Sequence, residues 1–216
     1  MRRYIALFML SLVCVWGGCS KGYAQNAADV LSKAAAAYDK SNGISASFTM
    51  QTRPAGQGEG DRFEGTIQMK GDKFTLDTPD AQTWYDGTTQ WTYMERNEEV
   101  NVTTPTGEEL QFTNPALLLS MYKKGFTATY KGESTAANGK AAYDVELIPK
   151  KKGDIVKVEL QIEKFSNFPA KITVTSKNGM SSTIQIRQLK TGLNQPDSFF
   201  VFKERDFPDA EIIDLR

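Results

Sequence analysis

The sequence predicts an α+β protein dominated by antiparallel sheet, and three observations carry that reading. First, apolar residues alternate with polar ones through most of the chain from residue 44 onward, the period of a strand with one wet face. Second, turn pairs such as Gly71-Asp72, Asp86-Gly87 and Asn178-Gly179 punctuate these runs at short intervals. Third, only two stretches carry helical signals, one at residues 26–40 and one at 114–124.

The densest stretch runs from Gly65 to Met94. Phe63, Gly65, Ile67 and Met69 alternate with Glu64, Thr66, Gln68 and Lys70. After the Gly71-Asp72 turn, Phe74 and Leu76 continue the pattern, Pro79-Asp80 interrupts it, and Trp84-Tyr85 resumes it. Trp91 and Tyr93 share one face of the next strand. Two of the three tryptophans fall within these thirty residues. An ordinary aromatic-cored meander explains this composition, and so does a concave sheet face lined for an apolar guest.

Residues 1–24 read as a signal peptide. Arg2 and Arg3 form a basic start, Tyr4 to Trp16 is an apolar run too short to span a bilayer, and Gly22 and Ala24 are small residues at the positions a signal peptidase reads. Residues 25–216 are then one domain. The competing start is a lipid-bearing Cys19, although Trp16 is unusual where a branched aliphatic residue normally stands. Both cysteines, Cys14 and Cys19, lie in the leader, so the exported chain has no disulfide or thiolate metal site. The chain has no histidine, which excludes a histidine base, triad member or metal ligand. Without the leader, 23 Lys plus Arg stand against 26 Asp plus Glu, a charge of −3. That is neither a nucleic-acid footprint nor a basic membrane-binding face. No cofactor is expected.

Asn26 to Lys40 reads as the first helix, with Leu31, Ala34, Ala35 and Tyr38 on one stripe and Asn42-Gly43 as its stop. Ile44, Ala46, Phe48 and Met50 alternate as a strand, and the glycine-rich residues 54–61 form a loop. Val100 and Val102 follow the meander. Asn114 as N-cap, Pro115 at the first position and Gly125 beyond the last turn bound the second helix. Its Leu117, Leu118, Leu119 and Met121 cover more than one stripe, so it is either a buried core helix or a plug in the mouth of a curved sheet. Further strands are read over 126–130, 143–147, 156–162, 172–174, 184–186 and Phe200–Phe202, giving about ten.

The order of these features resembles the periplasmic lipoprotein carrier family, the LolA-like proteins. The residues that carry the resemblance are the N-terminal helix, Gly65-Thr66-Ile67-Gln68-Met69-Lys70, Phe74, Pro79, Asp86-Gly87, Trp91-Thr92-Tyr93 and Asn114-Pro115-Ala116-Leu117-Leu118-Leu119, with Phe200-Val201-Phe202 and Ile213-Asp214 at the end. The resemblance implies an unclosed antiparallel barrel, or strongly curved sheet, with helices covering its concave face. It implies a monomeric periplasmic carrier whose cargo is acylated lipoproteins and whose partners are an inner-membrane releasing transporter and an outer-membrane acceptor. A membrane-anchored acceptor and a sensor module share the fold. Catalysis is not expected.

The acyl-facing set expected on this reading is Phe48, Met50, Phe63, Ile67, Met69, Phe74, Trp84, Trp91, Tyr93, Leu118, Leu119 and Met121. Where the family often has an arginine that helps to hold the lid, this chain has Lys70. Lys70 keeps the charge but not the planar fork, and is the candidate lid latch.

Overall fold

The computed structural model describes residues 26–56, 58, 60–106, 110, 122 and 124–216. The predicted leader, and residues 111–121 and 123 of and around the second predicted helix, with them Leu118, Leu119 and Met121, lie outside the described residues.

Helix α1 spans Ala27–Asp39. Asn26 caps it, its side-chain oxygen accepting from the Asp29 N–H at 2.8 Å. Asn42 and Gly43, with φ of 49° and 97°, end it in the left-handed region. Ala27, Val30, Leu31 and Ala34 are buried along one stripe. Burying side chains the size of Val30 and Leu31 contributes roughly 1.5–3 kcal/mol each, so packing rather than propensity holds this helix.

Among the described residues twelve strands follow: β1 Ile44–Arg53, β2 Arg62–Lys70, β3 Lys73–Asp77, β4 Ala81–Tyr85, β5 Gln90–Met94, β6 Glu99–Thr103, β7 Phe126–Thr135, β8 Ala141–Pro149, β9 Ile155–Glu163, β10 Pro169–Ser176, β11 Ser181–Thr191 and β12 Glu211–Asp214. They form one strongly curved, unclosed sheet in the order β12-β6-β5-β4-β3-β2-β1-β11-β10-β9-β8-β7. The expected α+β class therefore holds. Every pairing is antiparallel except that of β12 with β6, which is parallel. The strand expected at Phe200–Phe202 is not one. Asp197–Phe200 is a turn of 3-10 helix, and the last strand lies ten residues further on.

α1 packs on one face of the sheet, here the helix face. Beneath it Val145, Leu147, Val158, Leu160, Ile162 and Ile172 form one buried cluster, together with Tyr122 and Phe126. Ile44, Ala46, Phe48, Ile67, Met69, Phe74 and Tyr85 form a second, which Leu110 and Phe168 join. Tyr38 and Ile184 touch both clusters, so the apolar layer is continuous across the sheet. Leu110 and Tyr122 lie within these clusters, and the Tyr122 hydroxyl donates to the Ala28 carbonyl at 3.4 Å.

Candidate functional site

The helix-face layer is the candidate binding surface. It exists because β1 pairs with β2 across the 54–61 loop and the Gly71-Asp72 turn holds β2 and β3 in register. Ile44 lies opposite Met69, and Met69 opposite Phe74. Ala46 lies opposite Ile67, and Ile67 opposite Leu76. Phe48 lies opposite Gly65, and Met50 opposite Phe63. With a side-chain period of two, these rows share one face. Phe48, Ile67, Met69 and Phe74 are buried, whereas Met50, Phe63 and Leu76 are half-buried at its rim. Tyr38 of α1 closes over the layer, its ring 5.1 Å from Phe168 in an edge-to-face contact. Its burial pushes the phenol pKa well above the ordinary value, so it stays neutral here.

Six of the expected acyl-facing residues thus come together: Phe48, Met50, Phe63, Ile67, Met69 and Phe74. Trp84, Trp91 and Tyr93 do not join them. Phe74 pairs with Tyr85, so Trp84 points to the opposite face, and Trp91 opposite it does the same. There Trp84 meets Phe202 and Phe207 at 5.4 and 5.5 Å, and Tyr93 meets Phe207 at 4.6 Å. These partners belong to a strap, residues 192–210, that crosses the back of the meander. A groove of about 240 Å³ remains between strap and sheet, walled by Trp84, Gln82, Thr75, Val201, Phe199 and Phe207. Sequence alternation gives no hint of this second aromatic core, because its partners come from a segment that itself reads as a strand.

Lys70 also serves the strap. Its Nζ donates to the Gln195 carbonyl at 2.7 Å and lies 3.4 Å from the Asp197 carboxylate. Lys73 reaches the other Asp197 oxygen at 2.7 Å. The hydrogen bond from Lys73 holds the Asp197 carboxyl below the usual carboxylate range, and the same bond raises the Lys73 pKa. The Gln195 amide donates to the Gln68 side chain at 3.0 Å. Among the described residues, the latch candidate therefore fastens the C-terminal strap to the back face.

The site carries no metal chemistry that the described residues reveal. Among them no three His, Cys, Asp or Glu side chains are grouped to hold an ion, and no helix is long and apolar enough to cross a membrane.

A family model described as outer membrane lipoprotein carrier protein LolA matches residues 20–189. The strap and β12 lie beyond that match. No curated protein matches the chain. Among solved structures, an uncharacterized conserved protein from Thermus thermophilus is similar at a TM-score of 0.59 and 12% identity, covering 86% of this chain and 97% of its own. That likeness shows a shared fold. A LolA superfamily protein from Nitrosomonas europaea is similar at a TM-score of 0.44 and 15% identity over 83% of this chain and 99% of its own. The LprF protein from Mycobacterium bovis is similar at 0.49 and 10%, over 79% and 95%.

Proposed function

The chain belongs to the outer membrane lipoprotein carrier protein LolA family, and from that premise we propose that it is a periplasmic carrier that shields lipoprotein acyl chains on its helix face. The observation that carries this reading is the continuous apolar layer from Phe63 to Phe74 under Tyr38. Each methylene taken from water into such a layer contributes about 0.8 kcal/mol, so ten of them supply roughly 8 kcal/mol without any catalytic group. Met50 and Met69, unbranched and adaptable, suit a surface that must accept and release a flexible guest. Cargo comes from an inner-membrane releasing transporter and goes to an outer-membrane acceptor. Export proceeds by cleavage after Ala24, so intact-mass analysis of protein from its native envelope should give a chain beginning at Gln25. A lipidated Cys19 would instead favour an anchored acceptor.

Photo-crosslinking tests the binding face. A benzoylphenylalanine placed at Phe63 on the helix face should capture a triacyl-lipopeptide, and one placed at Trp91 on the back face should not. Capture at neither position by folded protein, or at 91 alone, sinks the reading.

A further inference from the structure

Three chain segments meet at one end of the sheet. Residues 124–125 lead into β7, residues 150–154 join β8 to β9, and residues 177–180 join β10 to β11. Two backbone bonds tie them. The Lys150 N–H donates to the Gly125 carbonyl at 2.9 Å, and the Lys177 N–H to the Asp154 carbonyl at 2.7 Å. Lys124, Lys150, Lys151, Lys152 and Lys177 thus share one tip, all of them exposed. Asp154 is the one acid in the three segments. Among the described residues no ion pair neutralises Lys124, Lys151, Lys152 or Lys177. Tying segments of like charge together opposes folding, so the tip's own structure does not account for the cluster.

Further along, the same end of the sheet carries the opposite charge. There the Glu95 N–H donates to the Asp80 carbonyl at 3.3 Å, and the Glu211 N–H to the Glu98 carbonyl at 2.9 Å. These bonds gather Asp80, Glu95, Glu98 and Glu211, with Arg96 among them. The exported chain's slightly negative net charge hides this separation. An anionic surface is drawn to the lysine tip and repelled by the acidic turns, so the charge pattern selects one edge for contact. Two features favour a bilayer over a protein as that surface. Met180, Val156 and Ile148, each in or within two residues of the lysine segments, are large apolar side chains left exposed. Clustered lysines with apolar neighbours suit an anionic headgroup layer, whereas lysine is depleted from protein–protein interfaces. Phe126 and Ile155, the first residues of β7 and β9, also carry the helix-face layer out to this tip.

We propose that the tip formed by residues 124–125, 150–154 and 177–180 seats this protein on anionic membranes. The contact does not depend on the carrier reading. Each lysine near such a surface adds a modest attraction that fades with salt, so the attachment is reversible.

Flotation of the exported protein with vesicles tests it. The vesicles are phosphatidylcholine with and without about a third of phosphatidylglycerol. The wild type should float with the anionic vesicles alone, and less at high salt. K151Q/K152Q should bind them about thirtyfold more weakly, with an unchanged circular dichroism spectrum. K40Q/K190Q removes the same charge from exposed positions at the opposite end of β1 and β11, and should bind as the wild type does. M180S, which removes an apolar contact and no charge, should bind about fivefold more weakly. Equal flotation of wild type and K151Q/K152Q, or flotation of neither, overturns the membrane contact. So does an equal loss in K40Q/K190Q, which would make net charge the cause rather than the tip. Retention on immobilised polyglutamate without flotation would assign the tip to an acidic protein and overturn the bilayer. Binding of a triacyl-lipopeptide in solution, without vesicles, should be the same for all four proteins; its absence in the wild type would count against the carrier reading alone.

Discussion

Gly65 illustrates how one residue sets the binding layer. It sits in β2 directly opposite Phe48, and a Cβ there would stand 2.6 Å from the Phe48 ring and 2.7 Å from the Asp77 carbonyl. The ring of Phe48 lies where that side chain would go. Gly65→Ala must push the ring or the backbone aside, and overpacking of this kind costs about 1–3 kcal/mol. A denaturant melt should show that loss, and an unchanged midpoint would mean the ring has somewhere else to turn. Glu163 makes a different residue-scale prediction. Burial raises its pKa, but the hydrogen bonds from Asn138, Ser166 and Lys140 outweigh that, and the net shift is downward from 4.5. A depressed carboxyl pKa contributes stability above its unfolded value and loses it as pH falls through the folded one. Stability should therefore decline as pH drops below about 4.5, and Glu163→Gln should flatten that decline while lowering stability at neutral pH. Parallel pH profiles for the two proteins would contradict the assignment.

At the scale of elements, the strap is the feature with the clearest test. Its first residues bond the α1–β1 turn, with the Gly192 and Asn194 N–H groups donating to the Ser41 and Asn42 carbonyls. Lys70 and Lys73 then grip Asp197, and Phe202 and Phe207 cover Trp84. Asp197→Asn removes the charge both lysines hold. Tryptophan emission should shift to the red and limited proteolysis should cut the strap faster, with both effects reproduced in the wild type by high salt. Emission that does not move in either case would show that the aromatic contacts alone hold the strap. Much of this level was legible in the sequence. Asn26, Asn42 and Gly43 bound α1 as their chemistry requires, and alternation located β1 to β11, with turns such as Gly71-Asp72, Asp86-Gly87 and Asn178-Gly179 between them. What alternation cannot supply is which face a strand presents after a loop. Asp77 pairs with Gln82 across residues 78–81, which sets Tyr85 rather than Trp84 beside Phe74; a shift of one residue would have reversed it. Phe200-Val201-Phe202 alternates as a strand does, yet its rings are spent on the back face. The Ile212-Ile213 pair, lacking any period, forms the parallel edge with β6.

At the scale of the whole molecule, the helix face is already filled by the protein's own side chains. Phe74 is fully buried, and Phe48, Met69 and Tyr85 are nearly so. An acyl chain and these side chains therefore compete for the same apolar surface, and stability and cargo affinity should trade against each other. Phe74→Ala removes a ring from the middle of the layer. Its cost as a cavity is about 3–5 kcal/mol. A dry void lined by Met69, Tyr85 and Ile44 is also a place an acyl chain can occupy without displacing anything. The variant should be less stable than wild type alone, but should gain more stability from a triacyl-lipopeptide, since a ligand bound only by the folded state adds RT ln(1 + [L]/Kd). Phe74→Leu, which keeps most of the volume, should fall between the two in both respects and guards against a variant that fails to fold. Trp91→Ala on the back face should lower stability without raising the gain from ligand. Denaturant melts with and without lipopeptide measure both quantities. If the helix-face variants lose ligand stabilisation in step with their own stability, the cargo does not share the layer with Phe74, and competition within it is not how this protein holds and releases its guest.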